Sequence, residues 1–344
     1  MYAQYVISNR WFRLAAQLLA GAAVIAVMVW QTDVERAYTI AKDGEYLYVL
    51  LALPLYVAAC FASAFRWRLA LQHMETAPPV GDLFGVYVAA MMLNRILPMR
   101  VGDILRVQVP SKRYGLSGEA LAAIVFVTET LLDGTAFVLM FLWSLAFLGV
   151  PAVHLTIAWT LSVFTFAGVI VAALAARLEL REGWEDRGPV RYLPLVLRSS
   201  AGVVVPRFLE GLALLRDVKM AAYALCLTLL NWMLQALIYY LFGLTFGLHF
   251  SLAQAIVVTI TAAIVVSLPL MPSSLGTYEV AVGGVLAIMG LSNAEAVTYA
   301  LGSHIMMIGF SVVAGAVAMP AIGLGVNDLP FIGRARPREV TRPG

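Results

Sequence analysis

Charge is scarce in this sequence. Of its 344 residues, 12% are Asp, Glu, Lys or Arg and 62% are apolar, where a soluble globular chain carries about 25% charged residues. Such a deficit excludes a soluble enzyme, a nucleic-acid binder and a disordered chain. Cysteine is nearly absent. Cys60 and Cys226 both sit in apolar runs, where they read as small buried hydrophobes and not as a disulfide framework. His73, His154, His249 and His304 stand far apart, with no pair at metal-ligand spacing. No Walker loop, GxGxxG or GxSxG motif occurs. No metal and no other cofactor is expected. The apolar runs do not alternate with polar residues, which excludes a membrane β-barrel.

What the chain has in quantity is length of apolar block. Leu14–Trp30, Leu47–Ala64, Val153–Ala176 and Ala221–Phe246 each approach or exceed the ~18 residues that cross a bilayer core as a helix. The expectation is an all-α polytopic membrane protein, one membrane domain over residues 1–344. Arg10 and Arg13 precede the first apolar run as they would in a signal peptide. No small-x-small cleavage site follows Trp30, where the chain turns to Gln31-Thr32-Asp33, so the run reads as an uncleaved first span.

The basic residues orient the spans, because Lys and Arg favour cytoplasmic loops. Arg10 and Arg13 put the N-terminus inside. The acid-rich loop 31–46 belongs outside, and Arg66 with Arg68 returns the chain to the cytoplasm. Val80–Leu97 is then bracketed by inside markers, since Arg100, Arg106, Lys112 and Arg113 follow it. A single crossing would strand one cluster, so residues 80–116 are expected to enter and return as a re-entrant hairpin. The basic segment 177–219 is cytoplasmic, and its stretch with Phe208, Leu209, Leu212 and Leu215 on one side lies along the membrane surface. A basic tail, 326–344, ends inside. For the termini to agree, 251–291 must form a second hairpin from the opposite face. This arrangement of about six full crossings and two hairpins leaves only Arg36 and Lys42, of 23 Lys and Arg, on the outer side.

The two hairpins resemble each other. The first reads Leu97-Pro98-x3-Gly102-Asp103, then Leu116-Ser117 and Glu119; the second reads Pro272-x3-Gly276 with Glu279, then Leu291-Ser292 and Glu295. At the same distance beyond each leucine a polar residue stands inside a span, Glu129 in one half and His304 in the other. Residues 10–150 and 151–325 therefore read as two repeats of opposite orientation, a pattern that places a transport site near the bilayer midplane.

Pro98, Gly102, Pro272 and Gly276 mark breaks in helices. Non-helical backbone at membrane depth survives only where it is buried or lines a cavity, and the helix N-terminus after each break offers free N–H groups to an anion. Arg95 and Arg100 flank the first break and suit a phosphate headgroup, which arginine binds as a fork. Arg106 belongs to the same candidate set, although its position in a basic stretch with Lys112 and Arg113 favours a topology marker. Glu129 and Asp133 sit at i and i+4 inside an apolar run. They read equally as a proton relay or substrate-amine site and as a structural lock. Glu279 beside the second break is treated alike. His304 reads first as a packing histidine, and Asn94 as a residue that caps or cross-links helices.

Asn94, Leu97, Pro98, Arg100, Gly102, Asp103 and Arg106, then Glu129 and Asp133, then Pro272, Gly276 and Glu279 resemble the pattern of the lysylphosphatidylglycerol synthase transmembrane-region family. The resemblance runs from about residue 10 to 325. It implies translocation of a phospholipid, aminoacylated lipid or glycolipid across the cytoplasmic membrane. It does not imply lysine transfer, since no aminoacyl-transferase portion is present in the chain. Asp103 replaces the family's usual glutamate, and His304 stands where arginine is expected, which leaves the substrate's charge open. The implied partners are a lipid with an anionic or phosphate headgroup, with a homodimer and a lipid-biosynthesis enzyme left open and no nucleic acid. Two other readings stand beside the flippase: an intramembrane enzyme using Glu129 and Asp133 on a polyprenyl phosphate or phospholipid, and a non-transporting scaffold for envelope biogenesis.

Overall fold

The computed structural model describes residues 2–72, 74, 77–97, 100–148, 152–178, 195–268 and 271–324. Pro98, residues 179–194 of the basic segment and the tail 326–344 lie outside them. Every regular element among the described residues is helical. In chain order the helices are α1 (Tyr2–Trp30), α2 (Val34–Lys42), α3 (Leu47–Leu71), α4 (Val80–Ile96), α5 (Val101–Tyr114), α6 (Gly118–Phe126), α7 (Asp133–Leu148), α8 (Ala152–Ala176), α9 (Leu195–Gly211), α10 (Val218–Thr245), α11 (Leu252–Ser267), α12 (Thr277–Ile288) and α13 (Asn293–Ala321). A wider π-helical turn, Val127–Leu132, joins α6 to α7, and a short 3₁₀ turn, Pro272–Ser274, lies between α11 and α12.

Four of these helical stretches are long and apolar enough to cross a membrane: Leu47–Leu71, Gly118–Phe147, Val218–Thr245 and Asn293–Ala321. Ala15–Trp30 and Val34–Lys42 make a fifth if the pair, bent by 97°, is one span. The bend has a local cause. Gln31-Thr32-Asp33 interrupts the apolar run, and Asp33 accepts the N–H of Arg36 at 3.0 Å to start α2 afresh.

Lipid is as apolar as a leucine face, so helices in a bilayer associate through close backbone approach. α3 shows this: Ala52, Ala59, Ser63 and Ala70 are buried at 0%, 0%, 2% and 4% exposure, and α3 packs along α10. α4 packs along α13, α11 along both α7 and α12, and α4 along α5. The apolar face of the basic segment is turned to protein. Leu209, Leu212 and Leu215 are buried with Trp67 and Leu121, and a β-carbon on Gly211 would lie 2.4 Å from the Ala120 carbonyl oxygen.

The base of the α4–α5 pair is fastened by polar contacts. The Tyr114 hydroxyl donates to Asp82, Arg113 stands 3.5 Å from the same carboxylate, and another Arg113 nitrogen donates to the Ile322 carbonyl at 2.7 Å. Burial, then the bond to Asp82, pushes the Tyr114 phenol up to about 12.

Candidate functional site

Among the described residues, three polar clusters lie between the helices. The largest is centred on Arg66 of α3, whose side chain is 2% exposed. One Arg66 nitrogen donates to Asp133 and to the Thr228 hydroxyl, the latter at 2.9 Å. The other donates to Glu129 at 3.1 Å. Arg106 of α5, 1% exposed, reaches the same Glu129 oxygen at 3.1 Å. Its guanidinium carbon lies 5.2 Å from the Trp67 ring centroid and 5.0 Å from that of Tyr87. Two cations face two carboxylates, so the cluster is neutral as a whole. The desolvation cost of each charge is offset only while all four are present.

The π-turn shapes this cluster. It carries Glu129 and leads directly into Asp133, and such turns occur often at functional positions in helices. Both carboxylates meet Arg66, so the like-charge conflict expected of two neighbouring acids is relieved by a shared cation.

The second cluster is at the first break. Asn94, in the last turn of α4, accepts the Gly102 N–H at 2.8 Å and donates to Asp103 at 3.1 Å. It thereby caps the opening turn of α5 from outside. Arg100 sits at φ 52°, ψ 46°, a left-handed conformation that a non-glycine residue adopts only under constraint. Its side chain pairs with Asp103 at 2.9 Å and donates to the Ser267 carbonyl at 3.3 Å. That second contact joins the first break to the end of α11, just before the second break. Arg95 is half-buried, and its Nη1 has no hydrogen-bond partner among the described residues.

The third cluster is at the second break. Ser273 and Ser274 both have positive φ, 52° and 56°. One oxygen of Glu279 accepts the Gly276 N–H at 2.7 Å, and the other meets His304 Nδ1 at 2.7 Å. The Tyr278 ring stacks on the imidazole with centroids 4.1 Å apart, and its hydroxyl pairs with Ser303 at 3.0 Å. His304 Nε2 is buried without a hydrogen-bond partner among the described residues.

The structure therefore brings together Arg106, Glu129 and Asp133, and separately Asn94, Arg100, Gly102 and Asp103, and separately Glu279, His304 and Gly276. The reading of Arg106 as a topology marker in a basic stretch does not hold, because the residue is inside α5 and buried, with its charge committed to Glu129. Arg66 went unrecognised as a site residue, since beside Arg68 it read as a topology marker. A usable signal was present: Ala59, Ser63, Arg66 and Ala70 repeat at helical spacing, which places Arg66 on the small-residue face.

A helical bundle with four helices long and apolar enough to span a membrane, and with buried arginine–carboxylate pairs inside it, defines a multi-pass membrane protein. The chain belongs to the family of the lysylphosphatidylglycerol synthase TM region, whose pattern matches residues 14–315. That membership makes it a membrane protein of lipid biosynthesis or translocation. Comparison with curated proteins gives no match.

Proposed function

We propose that this protein moves a lipid with an anionic or phosphate headgroup between leaflets of the cytoplasmic membrane, through the region where the two breaks meet. The observation that carries this reading is the Arg100 contact to the Ser267 carbonyl, which links two interrupted helices from opposite halves of the chain. At that junction Arg100 is only partly covered, at 34% side-chain exposure, and Arg95, in the last turn of α4 before the break, holds a buried guanidinium nitrogen with no partner among the described residues. Arg100 can take up a phosphate as it stands, and Arg95 can do so when the break opens. The Arg66–Glu129–Arg106–Asp133 cluster lies beside the path as a neutral lock. Movement of α5 against α6 would separate Arg106 from Glu129 and offer both to a passing headgroup.

In this reading the chain makes six crossings, α4–α5 and α11–α12 are re-entrant hairpins from opposite faces, and both termini are cytoplasmic. Matching packing in the two halves supports a repeat. α4 against α13 has its counterpart in α11 against α7, and α4 against α5 in α11 against α12. The polar pairs support it as well, with the acid and its partner exchanged. In the first half the helix after the break supplies the cation, Arg106, to an acid on the next span; in the second it supplies the acid, Glu279, to His304.

The test is lipid movement in vesicles containing purified protein and fluorescent anionic or zwitterionic phospholipids. Arg100→Ala should lower flux at least as far as roughly tenfold, about 1.4 kcal/mol of lost headgroup interaction, with the amount of folded protein unchanged. Arg100→Lys should restore flux only in part, since a point charge lacks the fork. Full activity of Arg100→Ala would remove the arginine from the path.

A further inference from the structure

Away from the breaks, α2 roofs a cavity of about 530 Å³, within the few-hundred-Å³ range of small-molecule sites. Its back wall is one face of α13, where Val297, Leu301 and Ile305 recur at helical spacing and Met306 ends the run. That face extends about 14 Å along the helix axis at 1.5 Å per residue. Val49 of α3 and Val29 of α1 form the sides. The slot runs parallel to a spanning helix and not across it.

The polar groups of the lining are already engaged with protein. Thr32 donates to the Met28 carbonyl at 2.7 Å, Thr298 to the Ala37 carbonyl at 3.4 Å, and Tyr46 to the Ala41 carbonyl at 2.6 Å. The remaining hydroxyl belongs to Tyr38, 65% exposed at the rim. No inward-facing group is thus left to recognise a polar ligand. Exposure changes along the slot: Val297 is 4% exposed beneath α2, and Ile305 is 68% exposed at the far end. The slot is covered by α2 at the Val297 end and open beside the exposed Ile305. Small residues on α2, Ala37 and Ala41, keep its roof from filling it.

We infer that this slot holds one hydrocarbon chain of a bilayer lipid, admitted laterally between α2 and α13. The occupant is defined by its chain, because the walls offer contact area and no hydrogen bonds. The site does not depend on translocation, and its test reads binding and not flux.

The experiment uses the full chain in phosphatidylcholine–phosphatidylglycerol vesicles with a trace of phospholipid bearing a diazirine near the end of one acyl chain. After irradiation, label should concentrate in the peptides covering residues 34–41 and 297–306. Ala41→Phe or, independently, Ala37→Phe fills the slot from the roof. Each should lower that labelling roughly tenfold, the equivalent of losing contact for about two methylenes, while label on the outer faces of α3 and α10 stays constant. Dibutanoyl phosphatidylglycerol, with the same headgroup and almost no chain, should not compete. Labelling spread evenly over the exposed spans, labelling indifferent to both fillings, or competition by the short-chain lipid would each overturn the assignment. A loss of lipid flux in Arg100→Ala leaves this result untouched, so the two readings fail separately.

Discussion

Arg66 serves two acids and a hydroxyl from a position with almost no access to solvent. Removing it as Arg66→Ala strands Asp133 and leaves Glu129 with Arg106 alone. Breaking a buried pair in this way costs about 3–5 kcal/mol. Glu129→Gln is the milder change, because the amide oxygen can still accept from both guanidiniums although the cluster then carries an extra positive charge. The expected outcome is a large fall in melting temperature for Arg66→Ala and a small one for Glu129→Gln, with lipid flux lowered in Glu129→Gln. Measuring both quantities on one Glu129→Gln preparation separates a transport role from a lock. If flux is unchanged across the pH range, no relay runs through this residue. The acids were legible in the sequence because a carboxylate inside an apolar run has few explanations. Arg66 was not, because a basic residue near a span's end is also what orients the span. Arg66 and Arg68 differ by about 200° around the helix, and only packing decides which one turns inward.

At the scale of elements, the breaks depend on very close backbone contact. A β-carbon on Gly102 would sit 1.9 Å from the Ala90 carbonyl oxygen and 2.7 Å from the Asn94 side-chain oxygen. Gly102→Ala must therefore push α5 away from α4 and cost the Asn94 bond to the Gly102 N–H. The expected result is a protein that unfolds at markedly lower temperature, read by thermal unfolding in detergent. Gly118→Ala is the control, since its new methyl meets nothing nearer than a Val107 side-chain carbon at 3.8 Å. The positions of the breaks follow from Pro and Gly spacing and were readable in advance. The strained residues themselves were not, because Arg100, Ser273 and Ser274 adopt positive φ without being glycine. Only contacts made elsewhere hold them there. The groove beneath α2 was also beyond reach of the sequence, since it exists only where three distant segments converge.

For the whole molecule the decisive question is which faces of the bundle share a compartment. Single cysteines replacing Asp43 and Lys112 should react with a membrane-impermeant thiol reagent from opposite sides, with Cys60 and Cys226 removed beforehand. Reaction of both from one side would sink the arrangement of six crossings and two hairpins. The packing of α4 on α13 and of α3 on α10 has a separate consequence for how the chain is made. The two halves are interlocked, and neither is a complete bundle by itself. During synthesis α4 emerges early, with Asn94 and Arg95 near its end, yet its partner α13 begins only at Asn293. Arg113 likewise waits for the carbonyl of Ile322. Until α13 is made, α4 and the first break lack the helix they pack against, so folding of this protein must include a step in which an earlier part of the chain is closed by α13.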